Sequence, residues 1–283
     1  MIRTRWCIAA LTGAMFAAPS AEAGAQTDYY NTDRGRPVQI EDAYATERYA
    51  FELKLAPVRL ERARTGAYRW EVEPELAYGI LPRTHVEVGV PIMHSDFGSE
   101  RRSGLAGLDL SMLHNLNTES RTLPAFGIRA DVRAPVGNIA PEHTYASFTG
   151  LVTRTFPSFR VHVNGQLTVG PEPSLPAPLG SAADVADVNA TEQSRWLAGL
   201  AVDRTLPLRS LLLTGEVYAS QPIVSTRDVE YTVGTGARYQ LTTLLAADAG
   251  IGWRLTGDNR AWYVTFGTAY AFGMASLMPG GAR

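Results

Sequence analysis

The sequence predicts an all-β chain, a transmembrane antiparallel β-barrel of about twelve strands around a polar lumen. Three observations carry this expectation. From Tyr49 onward, segments of about ten residues alternate apolar side chains with polar or tiny ones. The connections between them tend to be short and long by turns, as in barrels with short turns at one rim and longer loops at the other. The faces opposite the apolar ones hold Gly, Ala, Thr and charge, and almost no bulky apolar side chain that could fill a dry interior.

The clearest segment is 69–80. Trp70, Val72, Pro74, Leu76 and Tyr78 fall on one face, and Arg69, Glu71, Glu73, Glu75, Ala77 and Gly79 fall on the other. A helix would scatter these charges around its circumference and would be broken at Pro74. The same alternation predicts strands at 49–60, 84–93, 108–116 and 126–134, then at 145–156, 159–170 and 196–204, and finally at 211–220, 229–239, 244–255 and 261–272. In 244–255, for example, Leu245, Ala247, Ala249, Ile251, Trp253 and Leu255 oppose Ala246, Asp248, Gly250, Gly252 and Arg254. Short connections are expected at 81–83, 117–122, 157–158, 205–209 and 240–243, and longer ones at 94–104, 135–144 and 171–194. With 222–228 and 256–260 only moderate in length, the parity is a trend, and an even strand count puts both chain ends on the periplasmic side.

Ahead of the strands, Arg3 and Arg5, an apolar run from Trp6 to Ala18 and a small-residue exit with A-x-A frames read as a signal peptide, 1–25, cleaved after Ala25. Its loss takes the net charge from −2 to −3 and removes Cys7, the only cysteine, so the mature chain has neither disulfides nor thiolate metal sites. Residues 26–48 form a leading periplasmic or lumenal segment, 49–272 the barrel and 273–283 a C-terminal extension. Lys+Arg 26 against Asp+Glu 28, with a pI near 6.2, leaves no basic field for nucleic acid. A composition of 45% hydrophobic residues with mean hydropathy −0.09 belongs to a folded chain. Past the signal, no apolar run approaches the roughly twenty residues of a membrane helix. Aromatics gather near segment ends, Tyr68, Trp70, Trp253 and Trp262 among them, where two interfacial girdles would place them. A soluble periplasmic barrel or sandwich is the structural rival, since period alone does not tell inside from outside.

Several stretches carry a family likeness. Tyr78-Gly79-Ile80, the run Val86 to Pro91, the run Gly104 to Ser111, the run Ile128 to Gly137 and the run Trp262 to Phe272 resemble the outer-membrane family named for the MetA pathway of phenol degradation. The resemblance spans about 71–272 and rests on barrel turns and strand ends. Two departures stand out: Gly107 occupies the place of an acidic turn residue, and eleven residues follow Phe272, where such chains usually close. The resemblance implies a transporter for small hydrophobic or aromatic compounds, broadly similar to long-chain fatty acid transporters. The partners that follow are outer-membrane lipid, those solutes and the barrel-assembly machinery.

Catalytic chemistry is sparse. His85, His94, His114, His143 and His162 have no metal-ligand spacing, so neither metal nor cofactor is expected. No G-x-S-x-G elbow or phosphate loop occurs, and the chain reads as non-enzymatic. The alternatives from other classes are a lipid-modifying enzyme built around His162 and a structural or adhesive barrel. The informative residues are lumenal charges and their polar neighbours: Glu71, Glu73, Glu75 and Glu87, then Arg129, Asp131 and Arg133, then Arg160, His162 and Asn164. They could bind or gate solutes in an open pore with a transverse field. They could equally satisfy one another, or receive Asp33, Glu41, Asp42 and Glu47 of the leading segment folded inward as a plug.

Overall fold

The computed structural model describes residues 31–96, 98, 101–171, 194–223, 228–256, 260–274 and 277. The signal segment 1–25, most of the connection 171–194 and most of the C-terminal extension therefore lie outside the described residues.

Fourteen strand segments appear in order: β1 (Ala50–Ala63), β2 (Tyr68–Leu81), β3 (Thr84–Gly89), β4 (Ile92–Asp96), β5 (Arg101–Leu105), β6 (Leu108–Asn115) and β7 (Ala125–Ala134), followed by β8 (Tyr145–Thr155), β9 (Arg160–Val169), β10 (Arg195–Leu206), β11 (Leu211–Pro222), β12 (Glu230–Gln240), β13 (Leu245–Arg254) and β14 (Ala261–Gly273). β3 and β4 pair end to end along β2, and β5 and β6 line up in the same way against them, so the fourteen segments make twelve staves. Each stave is antiparallel to its neighbours, and β1 pairs with both β14 and β2, which closes the barrel.

The breaks have local causes. Pro91 has no N–H to give to a ladder. Gly107 holds a φ of +149°, which costs glycine little because it has no Cβ. In β1 the register slips by one residue between Leu55 and Val58, a bulge lying against Pro74 of β2. The connection expected at 94–104 is corrected by these strands: it contains the end of β4 and all but the last residue of β5, a hairpin that rises past β7. The outer edge of that hairpin is covered at Leu105, whose N–H is accepted by Asn138 Oδ1 and whose carbonyl accepts the Ile139 N–H. Alternation missed this hairpin because Arg101, Arg102 and Ser103 present polar residues on both faces.

Both ends of the barrel chain, Ala50 and Gly273, lie at one rim, termed here the terminal rim, with the connections 82–83, 116–124, 156–159, 207–210 and 241–244. The connection 116–124 is longer than 64–67 at the far rim, so the parity of connection lengths is a trend and no more. Leu76, Leu110, Ile128, Phe148, Val163, Val217 and Phe266 form an exposed apolar belt around the outside. Aromatic rings border it. Phe51 stacks on Tyr78 and on Phe272 at the terminal rim, and Trp253 pairs with Trp262 toward the far rim. The inward faces are buried and polar, with Lys54, Glu87, Arg129, Asp203, Glu216, Arg238 and Asp248 among them.

Candidate functional site

Residues 31–48 do not lie outside the barrel. They fold into its terminal half and return to the wall where the Tyr49 N–H donates to the Gly79 carbonyl at 2.7 Å. The wall makes room for them with glycines on its inward face. A Cβ at Gly79 would lie 1.9 Å from the Glu47 carbonyl oxygen, one at Gly250 2.1 Å from that of Pro37, and one at Gly236 2.6 Å from the Pro37 ring. Gly199 leaves the space that Ile40 occupies.

Inside the barrel this plug has no strand partner along most of its length, so wall side chains must satisfy its backbone. Glu216 Oε2 accepts the N–H groups of Gln39 and Ile40 at 2.8 and 2.9 Å. Asn164 accepts the Glu41 N–H and donates to the Glu41 carbonyl, both at 2.9 Å. Thr153 accepts the Ala43 N–H, Asn115 donates to the Ala43 carbonyl, and Thr265 donates to the Pro37 carbonyl. The Ala43 methyl packs against Leu113, Ala125 and Leu151, a small apolar floor.

Charges lock the same interface. Asp33 receives Lys54 at 2.9 Å, Arg238 at 3.0 Å and Arg36. Burial opposes ionisation of Asp33, yet Lys54, Arg36 and Arg238 hold its carboxyl well below the usual carboxylate range. Arg34 reaches Asp131 at 2.9 Å, and the buried Arg36 lies 3.5 Å from Asp248. Glu41 is the loosest member of the set. Its Oε2 stands 3.4 Å from Arg129, its Oε1 has no partner, and burial pushes its carboxyl up to about 7 against the pull of Arg129 and Arg34.

The ten sequence-predicted residues separate into distinct groups. Glu87, Arg129 and Asp131 come together, with Arg129 2.6 Å from Glu87 and 2.8 Å from Asp131, beneath Glu41 of the plug. Arg133 pairs with Asp109 and lies 4.0 Å from Glu73. Arg160 and His162 share Asp203, at 2.6 and 2.8 Å, and Asn164 holds the plug backbone. Glu71, Glu73 and Glu75 line the open space above the plug. The expected pairing of the arginines with those glutamates or with the leading acids holds only at longer range, at Arg133–Glu73, Arg129–Glu41 and Arg160–Asp42, the last at 3.9 Å. The short contacts go to carboxylates on the wall. Sequence reasoning missed Lys54, Asp203, Glu216, Arg238 and the inward glycines. Each stands at a polar position of a correctly phased strand, so listing every inward charge would have found the charged ones.

Above the plug lies a vestibule of about 330 Å³ whose floor is Arg34, Gly35 and Gln39. It is walled by Arg59, Glu61, Arg69 and Arg254 on one side and by Glu73, Glu75, Asp109 and Asp131 on the next. Glu61 lies 2.9 Å from Arg254, 3.4 Å from Arg59 and 3.7 Å from Arg69, and the Arg59 guanidinium rests on the Tyr263 ring. A second arrangement resembles a nucleophile–base–acid relay: the Thr153 hydroxyl lies 2.9 Å from His162 Nδ1, and His162 Nε2 lies 2.8 Å from Asp203. Thr153 and His162 are fully buried, and the Thr153 oxygen already accepts the Ala43 N–H. The relay therefore orients a hydroxyl toward the plug.

No family model and no curated protein sequence matches the chain. Among solved structures, an outer membrane channel from Pseudomonas putida F1 is similar over 85% of this chain and 100% of its own, with TM-score 0.57 and 12% identity. The transport unit of the autotransporter AIDA-I from Escherichia coli is similar over 86% of this chain and 94% of its own, with TM-score 0.50 and 10% identity. The fold is that of the outer-membrane β-barrels. At these identities the likeness extends to the fold alone.

Proposed function

We propose that this chain is a plug-gated channel of a Gram-negative outer membrane, exported by its signal segment and inserted by the barrel-assembly machinery. It admits small hydrophobic or aromatic compounds that carry a polar head. One observation carries the reading: the terminal half of a lipid-suited barrel is stopped by its own leading segment through polar, separable contacts into a glycine-notched wall. A stopper fixed for stability alone would not need the ion pairs of Asp33, Arg34 and Arg36 with the wall, since an apolar filling does as well or better. The solute class follows from the resemblance to the phenol-degradation family, and the polar head follows from the charged vestibule.

Planar-bilayer recording tests the gate. The intact barrel should conduct weakly, and removal of residues 31–48 should raise conductance several-fold while the barrel keeps its heat-modifiable migration in detergent gels. Equal conductance with and without the segment overturns the gate. Turnover of phospholipid or lipopolysaccharide that vanishes in His162→Ala would replace the channel reading with a hydrolase.

A further inference from the structure

Resting on the channel reading above, we infer that the vestibule selects solutes bearing both a positive and a negative group. Six arginines and seven carboxylates line it among the described residues, and they are not mixed evenly. Arg59, Arg69 and Arg254, on β1, β2 and β13, converge on Glu61, and Arg254 also lies 3.6 Å from Glu230 of β12. Glu73, Glu75, Asp109 and Asp131, on β2, β6 and β7, outnumber Arg133 and Arg34, the cations beside them in the vestibule lining, while Lys54 and Arg129, outside that lining, reach Glu75 and Asp131. The two arcs adjoin along β2. The remaining wall, on β8 to β11, offers Tyr145, Ser147, Gln166, Thr168 and Tyr218 and is uncharged apart from Arg195.

A wholly apolar solute entering this space would displace water from thirteen ionisable side chains and offer them nothing in return. A solute of one sign would satisfy one arc and be opposed by the other. A solute with an anionic group beside a cationic one can donate to the acidic arc and accept from the arginines, so both arcs stay solvated by the ligand. Its uncharged remainder then lies against the tyrosine and hydroxyl wall. Arg59 is suited to the anionic end, because its seat on Tyr263 fixes the guanidinium plane while its edge stays directed at carboxylates.

The test is titration calorimetry on the full chain in detergent, with three probes of one skeleton: phenylalanine, 3-phenylpropionate and 2-phenylethylamine. Phenylalanine should bind at least about tenfold more tightly than either single-sign probe, the difference expected for one added charge-assisted hydrogen bond. Arg69→Gln should weaken phenylalanine and 3-phenylpropionate and spare 2-phenylethylamine, and Glu73→Gln should weaken phenylalanine and 2-phenylethylamine and spare 3-phenylpropionate, so each variant, checked for heat-modifiable migration, loses the preference over the spared probe. Equal binding of either single-sign probe, no measurable binding of phenylalanine, or an unchanged preference in both variants overturns the inference. Because calorimetry does not require conduction, this failure is distinct from that of the gate, which the bilayer recording of the shortened chain decides.

Discussion

The two halves of the lumen are lined by the same strands and filled by different means. In the terminal half, backbone meets backbone: glycines admit the plug, and wall side chains take up its N–H and C=O groups. In the far half, side chain meets side chain around an open space, and ion pairs are the principal contacts. A wall that must hold a peptide needs shape, and shape tolerates no added atoms. A wall that must meet changing solutes needs charge, and partly solvated charge tolerates rearrangement. Substitutions should therefore be sharply felt below and mildly felt above.

The strongest way to break this contrast is to add atoms to the notches. Gly250→Val places a Cβ where the Pro37 carbonyl oxygen stands, and that backbone cannot yield as a flexible side chain would. The plug should be expelled, and single-channel conductance should rise several-fold with the barrel still heat-modifiable. Conductance equal to that of the unaltered chain would show that the notch is not needed for closure.

Next in size is Arg129→Ala, which leaves Glu87, Asp131 and Glu41 facing one another without their shared cation. Loss of one partner of a buried pair costs about 3–5 kcal/mol, and the undocking of the plug is the readiest relief. Open-channel time should increase more for Arg129→Ala than for Arg133→Ala, whose side chain stands among vestibule groups. The reverse order in bilayer recordings would place the lock elsewhere.

A gentler perturbation is pH. The docked plug raises the Glu41 carboxyl to about 7, chiefly through burial, with Arg129 and Arg34 opposing and Asp131 and Glu87 assisting. The docked state therefore binds a proton more strongly than the released one. Its advantage is complete below the ordinary glutamate range, about 4.3, and is lost as pH rises through 7. Open probability should climb between pH 5 and pH 8, and Glu41→Gln should flatten that climb. A climb of unchanged steepness in the variant would assign the titration to another group.

The smallest effect is expected in the vestibule. Glu71→Gln should leave conductance and plug docking as they were and shift only the reversal potential under a salt gradient, by a few millivolts. Release of the plug would contradict the separation of the two halves.

The strands were legible because alternation survives any choice of partner: Phe126 to Ala134 and 244–255 show the same faces in sequence and in space. The hairpin at β4 and β5 was not, since Arg101, Arg102 and Ser103 are polar on both faces of β5. Within the site, Arg129, Asp131 and Asn164 could be placed on the lumen face from phase alone. Their partners could not. Asn164 meets Glu41 across 123 positions of chain, a separation that no local pattern encodes. The glycines were read as polar-face fillers, although Gly199, Gly236 and Gly250 at plug height were the one sequence trace of a peptide lying against the wall.

That separation also orders events in time. The plug is among the first described residues of the chain, yet Asp33 binds Arg238, 205 positions later, and Thr265 holds Pro37, 228 positions later. Its seat does not exist until the last staves are laid down, so a segment made before the wall settles after it. A barrel caught before its last staves join would have an open belt and an unsealed bore, and closing the wall would be the event that arms the gate.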